Sequence, residues 1–258
     1  MADLEKALRA ARERGRKLLV PYVTGGLDDE WTSVVQAIAA AGADAIEIGI
    51  PFSDPVMDGP VIQDASQRAL DRGTSPQSVL SDLRGLDVGV PMAVMTYYNI
   101  AFHMGHERFA SSLVDAGVDA AILPDLPLEE AGPWCEVADN ASVETVMLAA
   151  PTAPDDRLPL VCARSRGFVY GVGLLGVTGE RDTVAESARV IAKRLKAVTD
   201  KPVLVGVGVS NAEQAVALSE VADGVIVGSA LVRRLIDGEG PSGAAEFVAE
   251  LRRGLDSG

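Results

Sequence analysis

Eight short apolar segments recur along the chain, and each gives way to a stretch with apolar residues at helical spacing. They are Leu18–Thr24, Ala45–Ile50, Pro91–Tyr97, Ala120–Asp125, Glu144–Ala149, Phe168–Gly173, Pro202–Val207 and Gly224–Val227. Most are runs, not alternations, as expected of parallel strands covered on both faces. Between them Trp31–Ala41, Glu107–Ala116, Ala185–Val198 and Ala212–Glu220 place apolar residues three and four apart, which predicts helices. Two junctions, Ala41-Gly42-Ala43-Asp44 and Asp115-Ala116-Gly117-Val118-Asp119, share one device: a helix stops on glycine and an aspartate leads into the next strand. Eight strand–helix units within 258 residues predict a (β/α)8 TIM barrel occupying 1–258 as a single domain. An extra N-terminal helix, Asp3–Arg14, is expected to cover the N-terminal end of the barrel.

The strand-to-helix loops of such a barrel gather at one face, where its chemistry sits. Two are longer than the rest: Phe52–Pro60, and Leu174 to about Val184. The second holds Gly176-Val177-Thr178-Gly179-Glu180-Arg181 and is expected to be a mobile lid after strand 6. The first follows the segment Ala45-Ile46-Glu47-Ile48-Gly49-Ile50, where one carboxylate interrupts an apolar strand. Ile46, Ile48 and Ile50 share the face toward a covering helix; Ala45, Glu47 and Gly49 share the face toward the barrel interior. An ionised acid is expensive to bury unless something uses or satisfies it, and no strand-borne cation is evident as a partner for Glu47. Two more carboxylates, Asp54 and Asp58, lie in the loop that follows. Glu47 is expected to have a raised pKa and to donate a proton; Asp58, in a polar loop, is expected to stay ionised.

Glycines mark the last two loops, in Gly206-Val207-Gly208-Val209-Ser210 and Gly228-Ser229. Backbone can approach a ligand closely there, and a helix starting at Ser229 would aim free amides at an anion. The loops after strands 7 and 8 are the usual phosphate site of a barrel. Tyr22, Tyr97 and Tyr170 fall near the ends of strands 1, 3 and 6, which suits a flat apolar ligand. Together these features predict a small-molecule substrate in which an aromatic group is joined to a phosphorylated chain.

Net charge −14 argues against nucleic acid or an anionic membrane as partner. Cys135 and Cys162 fit no metal-ligand spacing and read as free thiols, so no metal is expected. Met1–Lys17 is charged throughout, and no apolar run approaches a membrane span, which predicts a cytoplasmic protein.

The segment from Ala45 to Pro60 resembles the signature of the tryptophan synthase α subunit family, and the likeness extends through nearly the whole chain. The resemblance implies a (β/α)8 lyase that cleaves indole-3-glycerol phosphate to indole and glyceraldehyde 3-phosphate. Glu47 and Asp58 match the family's catalytic pair. Tyr22 and Tyr97 match aromatics of the indole pocket, and Tyr170 a substrate-binding tyrosine beside the catalytic glutamate. Thr178 and Gly179 match the lid, and Gly208, Gly228 and Ser229 the phosphate site. Asp54, Pro55, Pro127 and His103, the last in the loop after strand 3, fall where partner contacts are expected. The implied partner is a β subunit in an αββα heterotetramer. That subunit carries the pyridoxal phosphate, so no cofactor is expected in this chain. Met57 and Val207 depart from the usual Ala and Phe.

Other barrel enzymes that bind phosphate fit less well. Indole-3-glycerol phosphate synthase would need a catalytic lysine on a strand, yet all five lysines lie on helices or at strand entrances. A phosphoribosyl isomerase would draw its two acids from opposite sides of the barrel, whereas Glu47 and Asp58 come from one strand–loop unit. A stand-alone lyase releasing free indole, and a largely regulatory subunit, are the alternatives within the family reading.

Overall fold

In the computed structural model, which describes residues 4–173, 181–206 and 208–258, eight parallel strands close into a barrel in chain order. They are β1 (Leu18–Thr24), β2 (Ile46–Gly49), β3 (Met92–Met95), β4 (Ala120–Ile122), β5 (Glu144–Ala149), β6 (Val169–Val172), β7 (Val203–Gly206) and β8 (Gly224–Val227). β8 returns to β1 with Gly224 level with Leu18 and Val227 level with Pro21. A Cβ at position 224 would stand 2.2 Å from the Leu18 carbonyl oxygen, so glycine is required where the barrel closes. β1, β5 and β8 have the predicted bounds. β3 and β4 are shorter, because Tyr97, Leu123 and Leu126 are buried beyond the last strand pairing.

Side chains divide by parity, as predicted. Ala45, Ala93, Ala120, Val146, Phe168, Leu204 and Ile226 fill the interior together with Leu18 and Val20. Ile46, Ile48 and Ile50 pack outward into the layer beneath the helices. Helix α1 (Leu4–Glu13) inserts Leu4, Leu8 and Ala11 into the interior cluster, so it covers the N-terminal end of the barrel. The outer layer is made of α2 (Trp31–Ala40), α3 (Pro60–Asp71), α4 (Pro76–Leu83), α5 (Tyr98–Met104), α6 (His106–Asp115), α7 (Gly132–Asn140), α8 (Leu158–Arg164), α9 (Arg181–Lys196), α10 (Ala212–Ser219), α11 (Ser229–Ile236) and α12 (Gly240–Ser257). Cys135 and Cys162 are free and buried in α7 and α8. Among the described residues, no helix is long and apolar enough to cross a membrane.

The glycine–aspartate junctions have a physical role. Gly42 and Gly117 take left-handed backbone, at φ +110° and +73°, and each turns the chain into a strand. The aspartate that follows ties its strand to the preceding one twice. Asp44 donates its N–H to Leu19 O at 2.9 Å and accepts from Leu19 N at 2.9 Å; Asp119 does the same with Met92, at 2.9 and 3.0 Å. A third latch joins Asp223 to Val203, at 2.9 and 2.8 Å, after a junction that has no glycine. These latches stabilise the N-terminal end and leave the opposite end free for chemistry.

Candidate active site

Glu47 stands on β2 with its side chain inside the barrel, between Tyr22 of β1 and Ala93 of β3 in the strand register. It is 1% exposed, and its Oε2 is buried without a hydrogen-bond partner among the described residues. Burial, with the charge of Asp58 adding to it, pushes the carboxyl pKa up to about 8. An acid in that state holds its proton at neutral pH and can give it to a substrate.

Asp58 approaches from the loop between β2 and α3. Its position depends on Tyr97, just beyond β3, whose hydroxyl donates to Asp58 Oδ2 at 3.0 Å and accepts from Met57 N at 2.8 Å. The Tyr97 ring stacks on Phe52 from the start of the same loop, with centroids 4.9 Å apart. Burial raises the Asp58 pKa, and the bond from Tyr97 opposes that rise. Asp58 is thus half-buried beneath an aromatic cover made by Tyr97 and Phe52.

Two more tyrosines complete the interior wall. Each lies across a glycine of the next strand. An ideal Cβ on Gly49 would fall 1.9 Å from the Tyr22 hydroxyl, and one on Gly206 would fall 2.5 Å from that of Tyr170. Both hydroxyls are held in their protonated form by burial and by the nearby carboxylates, Glu47 and Asp58. The sequence places Gly49 on the interior face and Gly206 at the phosphate loop, but the seating of a tyrosine ring on each, and the stacking of Phe52, come only from the fold. A glycine at the parity of Glu47 within an apolar strand is the signal that could have marked the seat at Gly49.

The predicted anion cradle lies on the next two strand ends. Helix α11 starts at Ser229, and its N-cap, Gly228, offers no side-chain cap, so the first amides remain available to an anion. Gly208 takes left-handed backbone at φ +54°, with open space around its α-carbon. An ideal Cβ on Gly228 would lie 3.6 Å from Tyr22 Cβ, which sets the cradle beside the aromatic wall. Thr178, Gly179 and the expected lid, with Val207, lie outside the described residues. Asp54 is exposed and Pro55 partly so on the outer side of the β2–α3 loop, and Pro127 is exposed between β4 and α7. His103 is not in a loop: the chain folds into α5 directly after Tyr97, and His103 is exposed on that helix. Among the described residues, no cluster of three or more His, Cys, Asp or Glu side chains could hold a metal ion.

Fold and site define a (β/α)8-barrel enzyme that sets a buried glutamate and a second carboxyl among interior tyrosines, beside the uncapped start of α11. A family model described as tryptophan synthase alpha chain matches residues 8–254. The tryptophan synthase alpha chain of Thermobifida fusca is 44% identical, covering 99% of this chain and 98% of its own. That of Streptomyces avermitilis is 42% identical, over 99% and 95%. Among solved structures, the alpha subunit from Legionella pneumophila superposes with a TM-score of 0.89 at 31% identity, covering 100% of this chain and 99% of its own. Mycobacterium tuberculosis tryptophan synthase superposes at 0.88 and 35%, over 98% and 97%. The chain belongs to the tryptophan synthase alpha chain family, the lyase subunit that cleaves indole-3-glycerol phosphate to indole and glyceraldehyde 3-phosphate.

Proposed function

We propose that this chain, a single-domain barrel, performs that cleavage as a retro-aldol reaction with Glu47 as proton donor and Asp58 as electrostatic partner. Glu47 gives its proton to C3 of the indole ring, and the ring nitrogen takes up positive charge. Asp58 accepts the indole N–H and stabilises that charge. Glu47, now ionised, takes the proton of the adjacent glycerol hydroxyl. The carbonyl of glyceraldehyde 3-phosphate forms, the C3–glycerol bond breaks, and its electrons return to the ring as neutral indole. The phosphate rests on Gly208, Gly228 and Ser229, the indole lies among Tyr22, Tyr97 and Tyr170, and Thr178 and Gly179 close over them.

The observation that carries this reading is the burial of Glu47 with an unpartnered oxygen, because an acid so placed is costly to the fold unless it serves the reaction. Indole leaves for a β subunit that holds pyridoxal phosphate, in an αββα assembly in the cytoplasm. Asp54, Pro55, His103 and Pro127 form the docking side. A surface cavity of about 510 Å³ between the β2–α3 loop and α3, lined by Asp54, Pro55 and Gln63, adds relief to that surface.

The test is release of glyceraldehyde 3-phosphate from indole-3-glycerol phosphate by wild type and Glu47→Gln, each with and without a β subunit. The variant should fold, bind glycerol 3-phosphate normally and lose about a thousandfold in turnover, the scale of a general acid–base contribution. Turnover close to wild type would overturn the role of Glu47. Fast release by the wild-type chain without a partner would favour an independent lyase.

A further inference from the structure

The Tyr22 ring spans the distance between the anion cradle and the acid. Its Cβ end stands against Gly228, and its hydroxyl sits over Gly49, which only a residue without a side chain allows. Gly49 follows Glu47 by two positions on the same interior face, about 6.6 Å along the strand, and Tyr22 is the register partner of Glu47. The phenol oxygen is therefore within side-chain reach of the carboxyl. The bonding capacities of the two groups are complementary. Tyr22 accepts from Thr24 Oγ1 at 3.4 Å, so its own proton is available to another group. Glu47 Oε2 is buried and unpartnered among the described residues. A buried donor and a buried acceptor on register-paired residues of one barrel interior rarely both stay unused.

We propose that Tyr22 is a positioning residue for Glu47: when substrate fills the pocket, the Tyr22 hydroxyl donates to Oε2, fixes the carboxyl and helps hold it as a carboxylate after the first proton transfer. This rests on the reading of Glu47 as the acid. Among the described residues, the titratable groups that act on Glu47 are Tyr22 from β1, Asp58 from the loop after β2 and Tyr170 from β6, while Ala93 of β3 brings no charge. Asp58 disfavours ionisation of Glu47, and a hydrogen bond from Tyr22 favours it. The hydroxyl thus lets one carboxyl act first as acid and then as base. Its loss should raise the pH at which Glu47 ionises.

The experiment compares pH profiles of kcat and kcat/KM for wild type, Tyr22→Phe, Tyr170→Phe, Gly49→Ala and Glu47→Gln, with thermal unfolding of each. Tyr22→Phe should unfold at the wild-type temperature, lose about tenfold in kcat, as one hydrogen bond to a charged group would give, and move the basic limb to higher pH. Gly49→Ala keeps the hydroxyl but forces it from its seat, and should move the limb the same way. A Tyr22→Phe limb coincident with wild type would overturn the proposal even if kcat falls, since lost packing alone does not move a limb. A limb that shifts in Tyr170→Phe instead would also overturn it. If the limb persisted in active Glu47→Gln, the assignment of Glu47 itself would fail, which is a separable result.

Discussion

One hydroxyl, that of Tyr97, both accepts from the Met57 amide and donates to the Asp58 carboxyl. Removing it by Tyr97→Phe leaves the ring free to stack on Phe52 but deletes both bonds. Because that bond works against the burial that raises the Asp58 pKa, its loss should raise the pKa further. The acid limb of the pH–rate profile should move to higher pH, and kcat should fall about ten- to a hundredfold, as expected for a hydrogen bond to a charged group. Steady-state kinetics across pH would check this; an unmoved acid limb would mean that Tyr97 does not set the Asp58 charge. Asp58→Asn makes a different case. It keeps the shape of the loop but cannot balance a cationic indole, so it should lose most turnover while glycerol 3-phosphate binds as before, which calorimetry can measure. The acids themselves were legible in the sequence, Glu47 as a lone charge in an apolar strand and Asp58 through the loop it follows. The cover over Asp58 was not, since it comes from a tyrosine 39 residues away that only the closed barrel brings near.

The strand elements were readable because burial on both faces leaves an apolar run, and strand parity then fixes which side chains enter the barrel. Less readable was where each strand stops. The runs in β3 and β4 continue past the last hydrogen-bonded pair because loops at the catalytic end are also buried, and α5 begins where a loop with His103 was expected. The latches at the other end were half legible. Gly42 and Gly117 announce two of them, whereas Asp223 has no such marker and is identified only by its contacts. It accepts from Val203 N and pairs with Lys196 at 2.8 Å and Arg12 at 3.3 Å, so it ties α1, α9, β7 and β8 together. Asp223→Ala should leave a strand amide and two cations without their acceptor. We expect a loss of about 2–4 kcal/mol of stability, with activity per folded molecule unchanged because the catalytic end is not touched. Urea unfolding gives the first quantity and turnover at low urea the second; a midpoint equal to wild type would show that the latch carries no net stability.

Across the whole molecule the two ends of the barrel are under opposite demands. The N-terminal end is closed by α1 and by carboxylates that are each paired or latched, as Asp44 is by Arg16 and Arg252. The C-terminal end keeps an acid buried with no cation or donor paired to it among the described residues, so its ionisation is a cost to the fold. That cost depends on pH in a definite direction. Folded Glu47 has a pKa near 8 against an ordinary 4.5, so between those values the folded state binds more protons than the unfolded chain, and stability declines as pH rises. The contribution is fully present below about 4.5 and gone above about 8, with a ceiling of about 5 kcal/mol set by the size of the shift. Other carboxylates add slopes of their own, so the informative quantity is the difference between wild type and Glu47→Gln, a neutral side chain of similar shape. That difference should be level below pH 4.5, grow in favour of the variant through pH 8, and then level again, so that the inactive protein is the more stable one under alkaline conditions. Chemical denaturation of both proteins from pH 5 to pH 9 would reveal it. Parallel stability curves across that range would mean that Glu47 ionises as an ordinary carboxyl, and the proton it is assigned to deliver would have to come from another group.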